Sequence, residues 1–243
     1  MKLITLNTWG GRINQPLLKF VKNNCNVDIF CFQEMNNNAT DDMLNSPKEE
    51  DKNLFSHIQD ILPEFTGYFS PQVPGVGHAI FIKNEFNVDH VSLHHILAEE
   101  EIINMPDPFP RILQSIHLKD INLSVYNFHG VAKAEKKDTP VRDIQTNRVM
   151  EIISKDSNPK IIVGDFNLNP DTKSIATFES IFTNQIKESN YTTTRNSYYR
   201  KLKDFPFADY IFTSPKITVS EFKVLNDEVS DHLPLYLNFE ISN

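Results

Sequence analysis

The sequence predicts an α/β protein of the mixed, α+β kind, and three observations carry that reading. Short runs rich in β-branched and aromatic residues recur along the whole chain, as buried strands do. Between several of them lie stretches with apolar residues at helical spacing and a proline near the start, the pattern of helices that cover a sheet. Several strand-like runs also stop at a polar residue followed by a turn, where a rigid strand can present chemistry to a ligand. The clearest case is Ile161 Ile162 Val163 Gly164 Asp165 Phe166 Asn167, a β-branched run that ends on a carboxylate and an amide.

Lys2 to Thr8 reads as a short buried strand, and Gly10 and Gly11 allow the chain to turn after it. Pro16 opens a helix over Gln15 to Asn24, with Leu17, Leu18, Phe20 and Val21 on its apolar face. Asp28 to Glu34 is a second buried strand that also ends in an acid. Residues 36–51, with Asp41, Asp42, Glu49, Glu50 and Asp51, read as a solvated loop. Leu54, Phe55, Ile58 and Ile61 mark a helix over Lys52 to Leu62, stopped by Pro63. Phe65 to Phe69, His78 to Lys83 and Phe86 to His94 read as strands, and Glu99 to Pro110 as a loop over a cleft. Arg111 to Leu118 and Ile121 to Phe128 suggest a hairpin on a two-residue Lys119 Asp120 turn. Thr139 and Pro140 start a helix with Val141, Ile144, Val149, Ile152 and Ile153 as its stripe. After the strand at 161 come a short helix over Ser174 to Phe182 and strands at Ala208 to Thr213, Ile217 to Val224 and Leu235 to Phe239.

Composition bounds the class. With 243 residues and 40% hydrophobic content the chain can bury a large core, which argues against disorder, and no repeat at solenoid period is visible. A net charge of -8 argues against adhesion to polyanions over the whole surface, although a bound divalent cation would reverse the local sign in an acidic cleft. Cys25 and Cys31 read as two reduced core thiols, which fits a cytoplasmic protein. No leader and no membrane span is visible.

Taken singly, the polar residues at strand ends have ordinary explanations, since Asn and Asp bond turns and a lone histidine is more often structural. Their repetition in both halves of the chain is what points to a site. Glu34, with Asn7 and Asp231, offers the hard oxygen donors that Mg²⁺ or Mn²⁺ prefers. His129 and His232 suit proton transfer or hydrogen bonding to a phosphoryl group, and Asp209 is placed to orient His232 better than its neighbour Asp231.

Leu6 Asn7 Thr8 Trp9 Gly10, Gln33 Glu34, Asn127 Phe128 His129, Gly164 Asp165 Phe166 Asn167, Asp209 Tyr210 Ile211 Phe212 and Ser230 Asp231 His232 Leu233 Pro234 resemble, in order, the motifs of the endonuclease/exonuclease/phosphatase superfamily with its DNase I-like fold. The resemblance implies a four-layer α/β-β/α sandwich: two mixed, largely antiparallel sheets packed face to face, with helices outside, as one domain over 1–243. It implies metal-dependent phosphoester hydrolysis by in-line attack of water, with Glu34, Asn7 and Asp231 toward Mg²⁺ or Mn²⁺. Asp165 and Asn167 would position the water and the phosphoryl oxygens, with Asp165 a candidate base. His129 and His232 would stabilise transition-state charge, and Asp209 would orient His232.

Two departures bear on substrate. Trp9 stands where abasic-site endonucleases of the family carry an acid, and those enzymes lack a histidine at the place of His129, so that repair role is disfavoured. Arg195 to Lys203 mixes cations with Tyr198 and Tyr199, a composition suited to phosphates and base stacking, against the alternative of an ordinary surface loop. Arg195 and Tyr198, with Asn7, are the substrate-binding candidates. Lys133, Lys136, Lys137 and Arg142 form a second basic group. The expected reaction is therefore phosphodiester cleavage by a nuclease or nucleic-acid-processing phosphodiesterase, in a monomer. A phosphatase, a sphingomyelinase-like lipid phosphodiesterase and a non-catalytic binding protein on the same fold are the alternatives; no Gly-x-Ser-x-Gly elbow supports a serine hydrolase.

Overall fold

A computed structural model describes residues 1–102, 109–133 and 135–242. The first third runs β1 (Lys2–Asn7), α1 (Asn14–Asn23), β2 (Ile29–Asn36), α2 (Leu54–Ile61), β3 (Phe65–Val73) and β4 (Val76–Lys83). Next come β5 (Val88–Leu97), α3 (Glu99–Ile102), β6 (Arg111–Leu118), β7 (Leu123–His129), α4 (Pro140–Ser154) and β8 (Lys160–Asp165). The chain ends with α5 (Lys173–Glu179), β9 (Thr183–Asn184), α6 (Gln185–Glu188), β10 (Asp209–Thr213), β11 (Ile217–Val224) and β12 (Leu235–Ile241).

These strands form two six-stranded sheets, in the orders β11-β12-β1-β2-β4-β3 and β5-β6-β7-β8-β10-β9. Each sheet has one parallel pair at its centre, β1 with β2 and β7 with β8, and antiparallel neighbours elsewhere. A parallel pair needs a crossover, which α1 supplies in the first sheet and α4 in the second. Strands β1 and β2 pack against β7 and β8, so the two parallel pairs face each other across the core.

Alternation along β2 decides which side chains fill which layer. Ile29 and Cys31 join the core between the sheets, while Phe30 and Phe32 join a second cluster with Leu17, Phe20, Leu54 and Ile58 beneath α1 and α2. The space between the sheets is not wholly apolar. Gln33 donates to Asn127 Oδ1 (2.6 Å), Asn127 donates to the carbonyls of Phe32 (3.0 Å) and Ala79 (3.3 Å), and Gln114 lies 3.2 Å from Asn127 Nδ2. This amide network ties the sheets together directly under the strand ends.

Several expected elements take a different form. The link between β6 and β7 is a 3-10 turn over Lys119–Ile121 closed by Asn122 at φ 50°, so the two-residue turn is replaced and Ile121 leaves the strand. The apolar stripe expected on α4 is broken: Ile144 is 43% exposed, while Arg142, Gln145 and Thr146 are buried. Thr139 caps that helix as expected, accepting from Arg142 N. The acidic loop is not simply solvated, because Glu50 accepts from Arg12 (2.8 Å) and Asp51 from Asn14 (2.6 Å). Cys31 is buried but Cys25 is exposed, and both are free thiols, so only one is a core thiol. The expected loop over Glu99 to Pro110 begins as α3, and its residues 103–108 lie outside the described residues. Among the described residues no helix is long and apolar enough to cross a membrane.

Candidate active site

The strand ends of the two parallel pairs deliver the site. In β1 and β2 the register sets Asn7 beside Gln33, with Glu34 next, and in β7 and β8 it sets His129 beside Asp165. Local backbone departures aim these residues. Glu34 sits at a bulge in β2 with φ 52°, and its carbonyl accepts from Thr8 Oγ1 (2.8 Å). Gly164 has φ 131°, and a Cβ there would stand 2.0 Å from the Phe128 carbonyl oxygen, so only glycine allows β7 this close. Asn167, at φ 56°, closes an Asx-turn by donating its N–H to Asp165 Oδ1 (2.8 Å).

Asp165 Oδ2 is the focus of the site. Asn7 Nδ2 donates to it at 3.1 Å; His129 Nε2 and His232 Nε2 each lie 3.6 Å away, and Arg195 Nη2 lies 4.0 Å away. Burial raises the Asp165 carboxyl, but His232, His129, Arg195 and Lys136 outweigh it and hold the group well below the usual carboxylate range. Glu34 behaves oppositely. Enclosure pushes its carboxyl up to about 7, although 34% of the side chain reaches solvent; the Asn7 Nδ2 hydrogen bond (2.9 Å) lowers it, and Asp231 and Asp165 add to the rise.

The two histidines also diverge. His129 is driven well below 6.5 by burial and by Arg111, despite the opposing pull of Asp165. For His232, burial and Arg195 push down, yet Asp209, Asp231 and Asp165 outweigh them and the imidazole is raised. Its Nδ1–H donates to Asp209 (2.8 Å), whose carboxylate also accepts from Thr194 (3.0 Å). A neutral His129 therefore faces an imidazolium at His232 across one carboxylate.

Arg195, expected in a basic surface segment, is buried: it donates to Asp231 Oδ2 (3.0 Å) and stacks on Tyr199 at 3.9 Å from the ring centre. Tyr198 stays 47% exposed beside Trp9, with ring centres 6.4 Å apart at the rim. The second basic group comes apart. Arg142 is consumed by the carbonyls of Val131, Glu135, Lys137 and Asn167, and so fixes the loop after β7. Lys136 turns inward and donates to Asn167 Oδ1, and burial lowers it to about 8. Its place in the site had no motif to announce it, only a lysine in the loop beyond His129.

The donor set fits a divalent cation on the Glu34 side. Glu34 rises chiefly because it is enclosed, with Asp231 and Asp165 adding to the rise against the pull of Asn7 and His232, and its donors and those of Asp231 are hard oxygens. Asp165, Asp209 and His232 also bring one ligand atom each within 4.8 Å of one another. Those three are paired among themselves, with His232 Nδ1 spent on Asp209, so they suit a proton relay better than an ion.

A model described as the Endonuclease/Exonuclease/phosphatase family matches residues 4–232. No curated protein matches the chain. Among solved structures, an endonuclease/exonuclease/phosphatase from Bacteroides vulgatus superposes with TM-score 0.75 at 18% identity, covering 99% of this chain and 98% of that one. A protein named a mannosyl-6-phosphatase from Bacteroides thetaiotaomicron gives 0.75 at 18%, covering 99% and 100%. The human Nocturnin catalytic domain gives 0.69 at 18%, covering 100% and 93%. These likenesses establish the two-sheet fold.

Proposed function

Because the chain belongs to the endonuclease/exonuclease/phosphatase family, we propose that it hydrolyses phosphoesters, as a single domain over 1–243, by in-line attack of water at phosphorus. The observation that carries this reading is the ring of donors from Asn7, His129, His232 and Arg195 around the ionised Asp165 carboxylate. Glu34, Asn7 and Asp231 would hold Mg²⁺ or Mn²⁺, which supplies charge neutralisation at a phosphoryl oxygen.

The remaining work falls to the chain's own groups. Asp165 is ionised and buried, so it can accept a hydrogen bond from the attacking water and draw its proton. Asn167, locked by its Asx-turn and by Lys136, fixes a second polar group beside that water. His232, held by Asp209, presents an Nε2–H to the charge that builds on the phosphoryl group, and Arg195 adds a second fixed positive charge. His129, neutral, donates from Nε2 only in the tautomer that leaves Nδ1 bare.

A small phosphoester fits this centre better than a long polyanion, since Lys136, Arg142 and Arg195 are all directed into the protein, although Arg200, Lys201 and Lys203 remain at the surface. A cytoplasmic setting belongs to the same reading and is supported by the two free thiols. The test is a substrate panel run with chelator-treated protein and added Mg²⁺ or Mn²⁺: p-nitrophenyl phosphate, bis-p-nitrophenyl phosphate, sugar phosphates, nucleotides, sphingomyelin, single-stranded and double-stranded DNA, and RNA. Metal-restored hydrolysis of at least one phosphoester is expected; inactivity on every member leaves a binding protein on this fold.

A further inference from the structure

Strand β4 carries a histidine into the space between the sheets. Ile80 and Ile82 face that space while Ala79 and Phe81 face the cluster beneath α1 and α2, so alternation puts His78 on the inner side. His78 is fully buried, and its ring centre lies 6.2 Å from that of His129, with the ring planes tilted by 34°. Neither of its ring nitrogens has a hydrogen-bond partner among the described residues. Idle buried nitrogens are costly, and a leucine would fill the same space without them, so packing does not explain a histidine here.

The two site histidines differ in what holds them. His232 Nδ1 is fixed by Asp209, whereas His129 Nδ1 makes no hydrogen bond among the described residues. His129 Nε2 faces Asp165 Oδ2 at 3.6 Å and Glu34 Oε1 at 3.9 Å. A charged acceptor binds an N–H roughly twice as strongly as a neutral one, so the ring proton belongs on Nε2 and leaves Nδ1 bare, in need of a donor. We propose that His78 is a positioning residue for His129: its imidazole serves Nδ1, directly or through one bridging water, and so keeps His129 in the Nε2–H form that faces Asp165 and the substrate phosphate. The part that concerns the phosphate rests on the hydrolysis inferred above. Burial and Arg111 hold His78 down at about 3 against the pull of the Asn127 carbonyl, so it stays neutral, with one donor and one acceptor. A carboxylate in its place would draw the proton to Nδ1 and charge the ring, as Asp209 does for His232.

The test reads the tautomer directly, by long-range proton–nitrogen NMR of full-length, metal-free protein labelled at its histidines, with His129 assigned by the loss of its signals in His129→Gln. The wild type should show His129 protonated on Nε2. His78→Leu should turn it into a mixture of both tautomers, whereas His78→Gln, whose amide donates and accepts, should preserve it. If His78→Leu does not fold, His78→Met, unbranched and adaptable, takes its place. A His129 protonated on Nδ1 in the wild type, or one unchanged in the apolar variant, overturns the proposal. With a phosphoester from the panel above, the apolar variant should lose about 10–100-fold in kcat with KM kept within about threefold, and His78→Gln should recover part of that loss. A kcat within about threefold of wild type in the apolar variant also overturns it. If no phosphoester is turned over, the function proposed above fails, while the tautomer spectra still decide what His78 does to His129.

Discussion

Both sheets carry a parallel strand pair joined through a helix, and both pairs end in the cleft, yet the carboxylates they deliver are tuned in opposite directions. Glu34, at the bulge in β2, is raised to about 7, whereas Asp165, at the end of β8, is held well below the usual range. Position in the fold does not set this difference, because the two strands are equivalent in their sheets. Neighbours do. Burial raises both, but Asp165 has two histidines, Arg195 and Lys136 to outweigh it, while Glu34 has only Asn7 and His232 set against burial and two carboxylates. One fold thus builds an acidic side around Glu34 and a side around Asp165 where fixed positive charge gathers.

The largest effect is expected on the cation-rich side. Asp165→Asn and His232→Ala should each lower kcat by about 10²–10⁴-fold with thermal unfolding little changed, read by steady-state kinetics beside calorimetry. Near-normal turnover in either would remove the contrast altogether.

On the acidic side the change should show in metal dependence and in stability. Glu34→Gln should shift the Mg²⁺ or Mn²⁺ titration to higher concentration. In metal-free protein it should also stabilise. A carboxyl raised from 4.5 to about 7 favours folding most below the unfolded value and loses that contribution as pH climbs through 7. Discounted for the exposed third of the side chain, the gain at pH 8 is about 1–2 kcal/mol, or roughly 2–6 °C in Tm. A wild-type protein more stable than Glu34→Gln without metal at pH 8 would contradict this.

The smallest effect concerns Lys136. Its ammonium loses its proton near pH 8, so kcat/KM should decline above that pH, and Lys136→Arg should move the alkaline limb upward with activity at pH 7 changed by less than about tenfold. An unmoved limb would assign it to another group.

Much of this was legible in the chain. Strand runs such as Ile161–Val163 and Asp28–Phe32 announced buried strands because β-branched and aromatic residues fit a pleated, covered surface, whereas the need for glycine at 164, where β7 comes close, showed only in the fold. Asn7, Glu34, His129, Asp165, Asn167, Asp209 and His232 could be named because each sits at the end of such a run or in the turn beside one. The helix α4 misled, since its stripe reads as apolar while its buried face uses Arg142 and Gln145 to bind the loop after β7. No periodicity encodes that, because a buried polar side chain is chosen by the carbonyls it meets, and those belong to a distant segment.

What the sequence determined by itself was most of the inventory: the longer strands and helices in order, though not α3, α6 or β9, the donors and acceptors at their ends, and the family they match. Only the tertiary structure decided the electrostatics. Arg195 and Lys136 look like surface cations until the chain folds, and Asn36 looks like a loop residue until β2 extends to it and buries it. Protonation and ligand preference depend on distances between residues remote in sequence, such as Asn7 and Asp165, and local pattern carries no such distances.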